Sequence, residues 1–123
     1  MKIKEVAEYF KLPPETIRYW ESMKILSSIQ RNDSGYREYT QQDIDWIRYV
    51  KCMREMGVPI ERIQEYTSLS AEGDHTLEKR KKILEEQRAQ LIEKAKELNQ
   101  ALELANHKIE NYDALLSPYK NKI

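Results

Sequence analysis

From Thr76 to Leu116 the chain contains neither glycine nor proline, and Leu77, Leu84, Leu91, Leu98, Ala105 and Tyr112 recur at a fixed seven-residue interval. Apolar side chains at this spacing form one seam along an α-helix, and such a seam faces a partner helix. At about 1.5 Å per residue the helix is on the order of 60 Å long. That exceeds the diameter of a small domain, so folding back onto the rest of the chain would leave much of the seam in water. Pairing with a second copy is the favoured solution. The positions four residues further on are Lys81, Arg88, Ala95, Leu102, Ile109 and Leu116, which makes the seam charged in its first half and apolar in its second. An antiparallel pair sets each charged half against the partner's apolar half, where Lys and Arg stems cover it. The expected homodimer therefore joins through Leu77, Leu84, Leu91, Leu98, Leu102, Ala105, Ile109 and Tyr112; periodicity alone leaves the orientation of the two helices open.

The rest of the chain is a head. With 123 residues, three Gly, four Pro and 34% charged side chains, there is material for one compact domain plus the helical appendage. Residues 1–69 form the expected winged helix-turn-helix domain, 70–75 a linker around Ser70-Ala71-Glu72-Gly73-Asp74, 76–116 the coiled-coil helix and 117–123 a tail. Ile3, Val6, Ala7 and Phe10 make a first helical stripe that Pro13-Pro14 ends. Pro14 opens a second helix to about Met23, with Ile17 and Trp20 inward and Glu15, Arg18, Tyr19 and Ser22 on the opposite face. Asn32-Asp33-Ser34-Gly35 is a turn signal between Ser28-Ile29-Gln30-Arg31 and Tyr36-Arg37-Glu38-Tyr39, read as the two strands of a small β-hairpin wing. Thr40 to Asp43 has the pattern of a capping box before a helix of about sixteen residues, with Trp46, Tyr49, Val50 and Met53 as its core stripe. Gly57 supplies a left-handed stop, and Pro59 restarts a short helix with Ile60 and Ile63 inward. The expected class is mainly α.

Arg18 and Tyr19 on the second helix and Tyr36 and Arg37 on the wing place residue types suited to phosphates and base edges on two groove-sized elements. A double-stranded DNA reader is the leading interpretation, with Lys24, Arg31 and Tyr39 as further contacts. Formal net charge is zero, and each half is neutral too: residues 1–66 hold 11 basic and 11 acidic side chains, residues 67–123 hold 10 and 10. Affinity for DNA must then come from local clustering of cations rather than the field of the whole molecule. Catalysis fails on inventory, because no His lies near a Ser, Cys or carboxylate pair and no glycine-rich phosphate loop is present. His75 and His107 are too far apart in sequence to make a metal site by themselves, so neither metal nor cofactor is expected. One cysteine, Cys52, and no apolar stretch of membrane-spanning length point to a cytoplasmic protein with no membrane partner. The competing class is a coiled-coil interaction protein whose head binds protein rather than DNA.

In its order of parts the chain resembles the MerR family of bacterial transcription regulators. Thr16-Ile17-Arg18-Tyr19-Trp20-Glu21 is similar to that family's T-[LI]-R-[YF]-Y-E helix, Gly35-Tyr36-Arg37-Glu38-Tyr39 to its G-x-R-x-Y wing, and Met53-Arg54-Glu55-Met56-Gly57 to its L-R-x-x-G helix end. The resemblance implies a homodimer, joined through an antiparallel coiled coil on a palindromic promoter, that bends and untwists the DNA, so that RNA polymerase can use overlong-spaced promoter elements. Lys11 and Lys24 depart from the pattern, standing where glycine is usual. Cysteine ligands of metal-sensing relatives are missing, and the chain stops where drug-sensing relatives carry a ligand domain. What remains is similar to the AdhR/NmlR-type subgroup, in which a lone cysteine at the position of Cys52 responds to reactive aldehydes and other electrophiles. On the helical wheel Cys52 lies at the border of the Trp46/Val50/Met53 stripe, with Arg48 and Lys51 near enough to favour a thiolate and Glu55 opposing it. Two readings stay open for Cys52: the sensor, or a small inert packing residue.

Overall fold

A computed structural model describes residues 1–112 and 114. Two compact units divide the chain, Met1–Gln87 and the residues from Arg88 onward. The first holds the entire buried core.

Helix α1 spans Ile3–Phe10 and buries Val6, Ala7 and Phe10. The Glu5 carboxylate accepts from the Lys2 N–H at 3.1 Å, satisfying an amide that the first helical turn leaves open. Helix α2 spans Pro14–Ser22, starts with proline in its first turn and buries Ile17 and Trp20. Helix α3 spans Gln41–Glu55 behind a reciprocal cap, in which Thr40 Oγ1 accepts from the Asp43 N–H at 3.1 Å and Asp43 Oδ2 accepts from the Thr40 N–H at 2.9 Å. Helix α4 spans Ile60–Glu72 and buries Ile63 and Tyr66. A single 3-10 turn, Asp74–Thr76, leads into α5, Leu77–Glu110.

Several expectations change here. The two strands of the wing do not form: among the described residues the only pairing is one antiparallel bridge, Arg31 to Arg37. The bridge is flanked by Asn32 N–H to Tyr36 O and Glu38 N–H to Gln30 O, both 2.8 Å, and then the ladder stops because the Tyr39 N–H turns to Met1 O at 2.7 Å. The element is a turn, tightened by Asn32 Oδ1, which accepts from the amides of Ser34 and Tyr36 at 2.9 and 3.1 Å. In α3 the core stripe is Ile44, Ile47, Val50 and Met53. Trp46 is only partly buried and Tyr49 is exposed, because this aromatic pair turns sideways to α4, where both rings meet Tyr66. Ser70, Ala71 and Glu72, expected in a polar linker, continue α4. The Thr76 hydroxyl, fully buried, lies 2.7 Å from the carbonyls of Leu69 and Gly73 and accepts from Arg80 Nε at 3.0 Å.

The start of α5 belongs to the core. Ile83 is buried, Leu84 packs against the core, and Gln87 Nε2 donates to Met56 O at 2.7 Å at the end of α3. Leu84, expected in the dimer seam, is thus partly consumed by the head. In the second unit every described side chain of α5 is exposed, among them Leu91, Ile92, Leu98, Leu102, Leu104 and Ile109, with Ala105 and, beyond the helix, Tyr112. Burying a side chain of this size contributes about 1.5–3 kcal/mol. An isolated helix leaves that gain unrealised. Leu116 and the expected tail 117–123 lie outside the described residues.

Candidate nucleic-acid interface

α2 is held to the core by the carbonyls just past its end. Trp46 Nε1 donates to Ile25 O at 2.8 Å, Thr67 Oγ1 lies 3.1 Å from the same oxygen, and Gln64 Nε2 donates to Met23 O at 2.7 Å. Trp46 from α3 and Gln64 from α4 therefore satisfy acceptors just past the helix, while the single hydroxyl proton of Thr67 is shared between Ile25 O and Ile63 O, the latter at 2.9 Å. With Ile17 and Trp20 buried beneath it, α2 leaves Glu15, Arg18, Tyr19 and Ser22 facing out. Ser22 Oγ turns back to Tyr19 O at 2.7 Å. Arg18 has no side-chain partner among the described residues, so its five N–H donors are available. Tyr19 is half exposed.

The turn presents Tyr36, at 67% the most exposed aromatic of the head. Lys2 Nζ stands 6.0 Å from its ring centroid and 3.0 Å from Glu38, so a cation accompanies this tyrosine. Lys2 was not among the residues singled out from sequence, since only the fold brings it to the turn. The same ammonium first, and the N-terminal ammonium after it, hold the Glu38 carboxyl below its usual range. Arg31 is exposed and donates to Gly35 O at 2.9 Å, which closes the turn with one arm of its guanidinium. Lys24 is exposed as well.

Arg37 and Tyr39 are placed otherwise than expected. Arg37 Nε bonds Glu21 at 3.0 Å, and each side chain keeps only about a quarter of its exposure (26% and 24%). Its Nε ties the turn to the end of α2, and the two terminal nitrogens of the guanidinium have no partner among the described residues. Tyr39 is a core residue, 3% exposed, and its hydroxyl has no hydrogen-bond partner among the described residues. Burial, and after it the Glu21 charge, push its phenol above the usual range. Its burial in the core is not the outward placement expected of a DNA contact. The structure thus unites Arg18, Tyr19, Tyr36, Arg31 and Lys24 on the outside of one unit, with Arg37 as the strap and Tyr39 beneath.

Cys52 is exposed. At about 100° per residue it lies nearly opposite the centre of the Ile44/Ile47/Val50/Met53 stripe, so the border position inferred from the wrong stripe moves outward. The head does not bury it as a packing residue. The cations expected to favour its thiolate are engaged elsewhere: Lys51 binds Glu55 at 2.6 Å, and Arg48 binds Asp45 and the Tyr9 hydroxyl, each at 3.0 Å. One turn earlier, Tyr49 stacks on Trp46 with centroids 5.6 Å apart, and its hydroxyl meets that of Tyr66 at 2.8 Å. Partial desolvation of the stacked phenol, and then this hydrogen bond, push Tyr49 up to about 12. The cysteine therefore rides on the helix face beside the aromatic join between α3 and α4. No group of metal-ligating side chains is present among the described residues, and no described helix is long and apolar enough to cross a membrane.

Residues 1–69 match the family described as MerR HTH family regulatory protein, and residues 44–105 the family described as MerR, DNA binding. The chain is 47% identical to the HTH-type transcriptional regulator AdhR of Bacillus subtilis over 93 residues, which cover 76% of this chain and 66% of AdhR. It is 29% identical to the transcriptional regulator ZntR of Escherichia coli, over 75% of this chain and 65% of that protein. Each match thus spans just under two thirds of the relative's length. Among solved structures, a MerR family regulator from Listeria monocytogenes superposes with a TM-score of 0.82 at 37% identity, covering 99% of this chain and 92% of that one. HiNmlR, a MerR family regulator lacking the sensor domain and bound to promoter DNA, superposes with a TM-score of 0.76 at 23% identity, covering 94% and 92%.

The orphan hydroxyl makes Tyr39 a direct check on the division between core and surface. Tyr39→Phe removes a buried polar atom without leaving a partner unpaired, so stability should hold or rise by up to about 1 kcal/mol with DNA affinity unchanged. Urea unfolding and a mobility-shift titration measure the two; a loss in either returns Tyr39 to the interface.

Proposed function

This chain belongs to the MerR family of helix-turn-helix regulatory proteins, and from that premise we propose that it acts as a homodimer that reshapes promoter DNA in response to electrophiles. At the coarser level it is a DNA-binding transcriptional regulator and not an enzyme. The finer reading starts from α2. Its outward Arg18 and Tyr19, strapped through Glu21 and Arg37 to the turn that carries Tyr36 and Arg31, form the observation that carries it. In this reading α2 enters the major groove, Arg18 reads a base edge, and Tyr19, Tyr36, Arg31 and Lys24 hold phosphates. The DNA complex of HiNmlR, a fold neighbour, supports DNA as the partner of this fold.

Dimerisation runs through α5, whose exposed leucines and isoleucines supply the apolar seam, and an antiparallel pair carries two heads for a palindromic site. Bending and untwisting the DNA between them gives RNA polymerase a realigned promoter, so specificity includes the energy of deforming the sequence. Cys52 is the switch in this reading. Its exposure lets an aldehyde or other electrophile reach the sulfur, and the 47% identity to AdhR agrees with the subgroup resemblance from which this signal is taken. An adduct beside the Tyr49–Tyr66 join favours one setting of α3 against α4, and about 1.4 kcal/mol of preference changes the populations tenfold.

Arg18→Ala should cost about 1–3 kcal/mol on the best promoter fragment and relax base preference, measured by competition mobility shift. Unchanged affinity and selectivity would remove α2 from the readout. Replacing Leu98 and Leu102 by Glu should abolish the dimer in sedimentation velocity and operator binding with it, since a buried unpaired charge is too costly to keep. A variant that remains dimeric moves the interface away from α5. Cys52→Ser should bind DNA nearly as the parent chain does but leave a promoter reporter unresponsive to aldehyde. A full response from the serine variant rules the switch out.

A further inference from the structure

Three helices of the head close in the same way. Leu12 N–H bonds Ala7 O at 3.0 Å, Ile25 N–H bonds Trp20 O at 2.9 Å and Val58 N–H bonds Met53 O at 3.0 Å. Each six-to-one closure forces the residue before it into the left-handed region. Those residues are Lys11, Lys24 and Gly57, with φ of 56°, 60° and 85°. Glycine adopts this backbone without penalty, and a side chain does not. At Gly57 there is a steric demand as well, since an added Cβ would stand 3.1 Å from Gln87 Nε2.

The other two closures carry lysine. Lys11 and Lys24 are the only non-glycine residues with positive φ among the described residues, they fall on either side of α2, and both are exposed. Neither has an ion-pair or side-chain hydrogen-bond partner among the described residues, whereas Lys2, Arg37, Arg48, Lys51 and Arg62 each meet a carboxylate. Backbone strain that glycine would relieve is thus kept twice, each time with an unpaired cation, and only around the outward-facing helix. Strain held in this way is a mark of a functional position.

We propose that Lys11 and Lys24 are a pair of phosphate contacts that bracket α2 and grip the backbone on either side of the groove it enters. The inference rests on α2 as the DNA-reading helix. A nine-residue helix is about 13 Å long, close to the major-groove width of about 12 Å, so groups at its two ends stand near the phosphate walls. The left-handed cap sets the direction of each Cα–Cβ bond, and the flexible stem delivers a compact charge that positions the protein without reading sequence.

The test uses the full chain with Lys11→Gly, Lys24→Gly, the double glycine variant and the matching Lys→Gln variants, on two probes: a random-sequence 30-base-pair duplex and a promoter fragment. Glycine removes charge and strain together, while glutamine removes charge and keeps the strain. Each substitution of either kind should flatten the slope of log affinity against log salt by about one, and the doubles by about two, equally on both probes. Glycine alone should raise Tm, by about 4 °C per site. Parental slopes in both series overturn the proposal, as do slopes that fall with glycine but not with glutamine. If the parent chain binds neither duplex in a salt-dependent way, the DNA reading of α2 fails first and this proposal with it.

Discussion

The carbonyl oxygens of Met23 and Ile25 are the points on which the head is organised. They lie just past α2, where a helix has no amides left to offer, and side chains from α3 and α4 occupy them: Gln64 at one, Trp46 and Thr67 at the other. One set of bonds thereby ends α2, aims its outer face and commits α3 and α4 to a fixed packing around Ile17, Trp20 and Ile47. If α2 reads DNA as proposed, it needs this arrangement, because a small error in its angle displaces every base contact. The Arg37–Glu21 pair adds the turn to the same frame. Orientation is thus set by polar bonds at the helix end and retained by apolar burial underneath.

How far the sequence could be read depended on whether the deciding partner was local. Helix limits were legible from Pro14, the Thr40–Asp43 cap and Gly57, each of which acts within a few residues. The wing was not, because what ends its ladder is a bond from Tyr39 to Met1 that no short window contains. Arg37 looked free for the same reason, its partner Glu21 lying on another element. In α3 two apolar rows interleave, and size favoured the aromatics; the core instead took Ile44 and Ile47, whose branched shapes fill the space beneath α2, and left Trp46 and Tyr49 to α4. That choice moved Cys52 from the border of the stripe to the open side. Of the residues expected to meet DNA, Arg18, Tyr19, Tyr36, Arg31 and Lys24 are exposed, while Tyr39 is in the core: its hydroxyl suggested a polar task, and its ring decided its burial.

The aromatic cluster gives the head a second organising point. Trp46 serves two neighbours at once, donating to Ile25 O while its ring stacks on Tyr49. The contact network that carries Cys52's helix face is therefore the network that also ends α2. A disturbance on that face has a physical route, through rings and one indole N–H, to the helix that faces outward. The route is short and lies entirely within the head.

The exposed row from Leu91 to Ile109 acts on a different scale. A chain of zero net charge has no net repulsion to oppose the proposed pairing of such rows. If the proposed reader is assembled from two chains, the amount of dimer at low abundance grows as the square of chain concentration. Copy number then enters the regulatory response directly: halving synthesis lowers the amount of working reader about fourfold in that dilute range, before any signal reaches the protein.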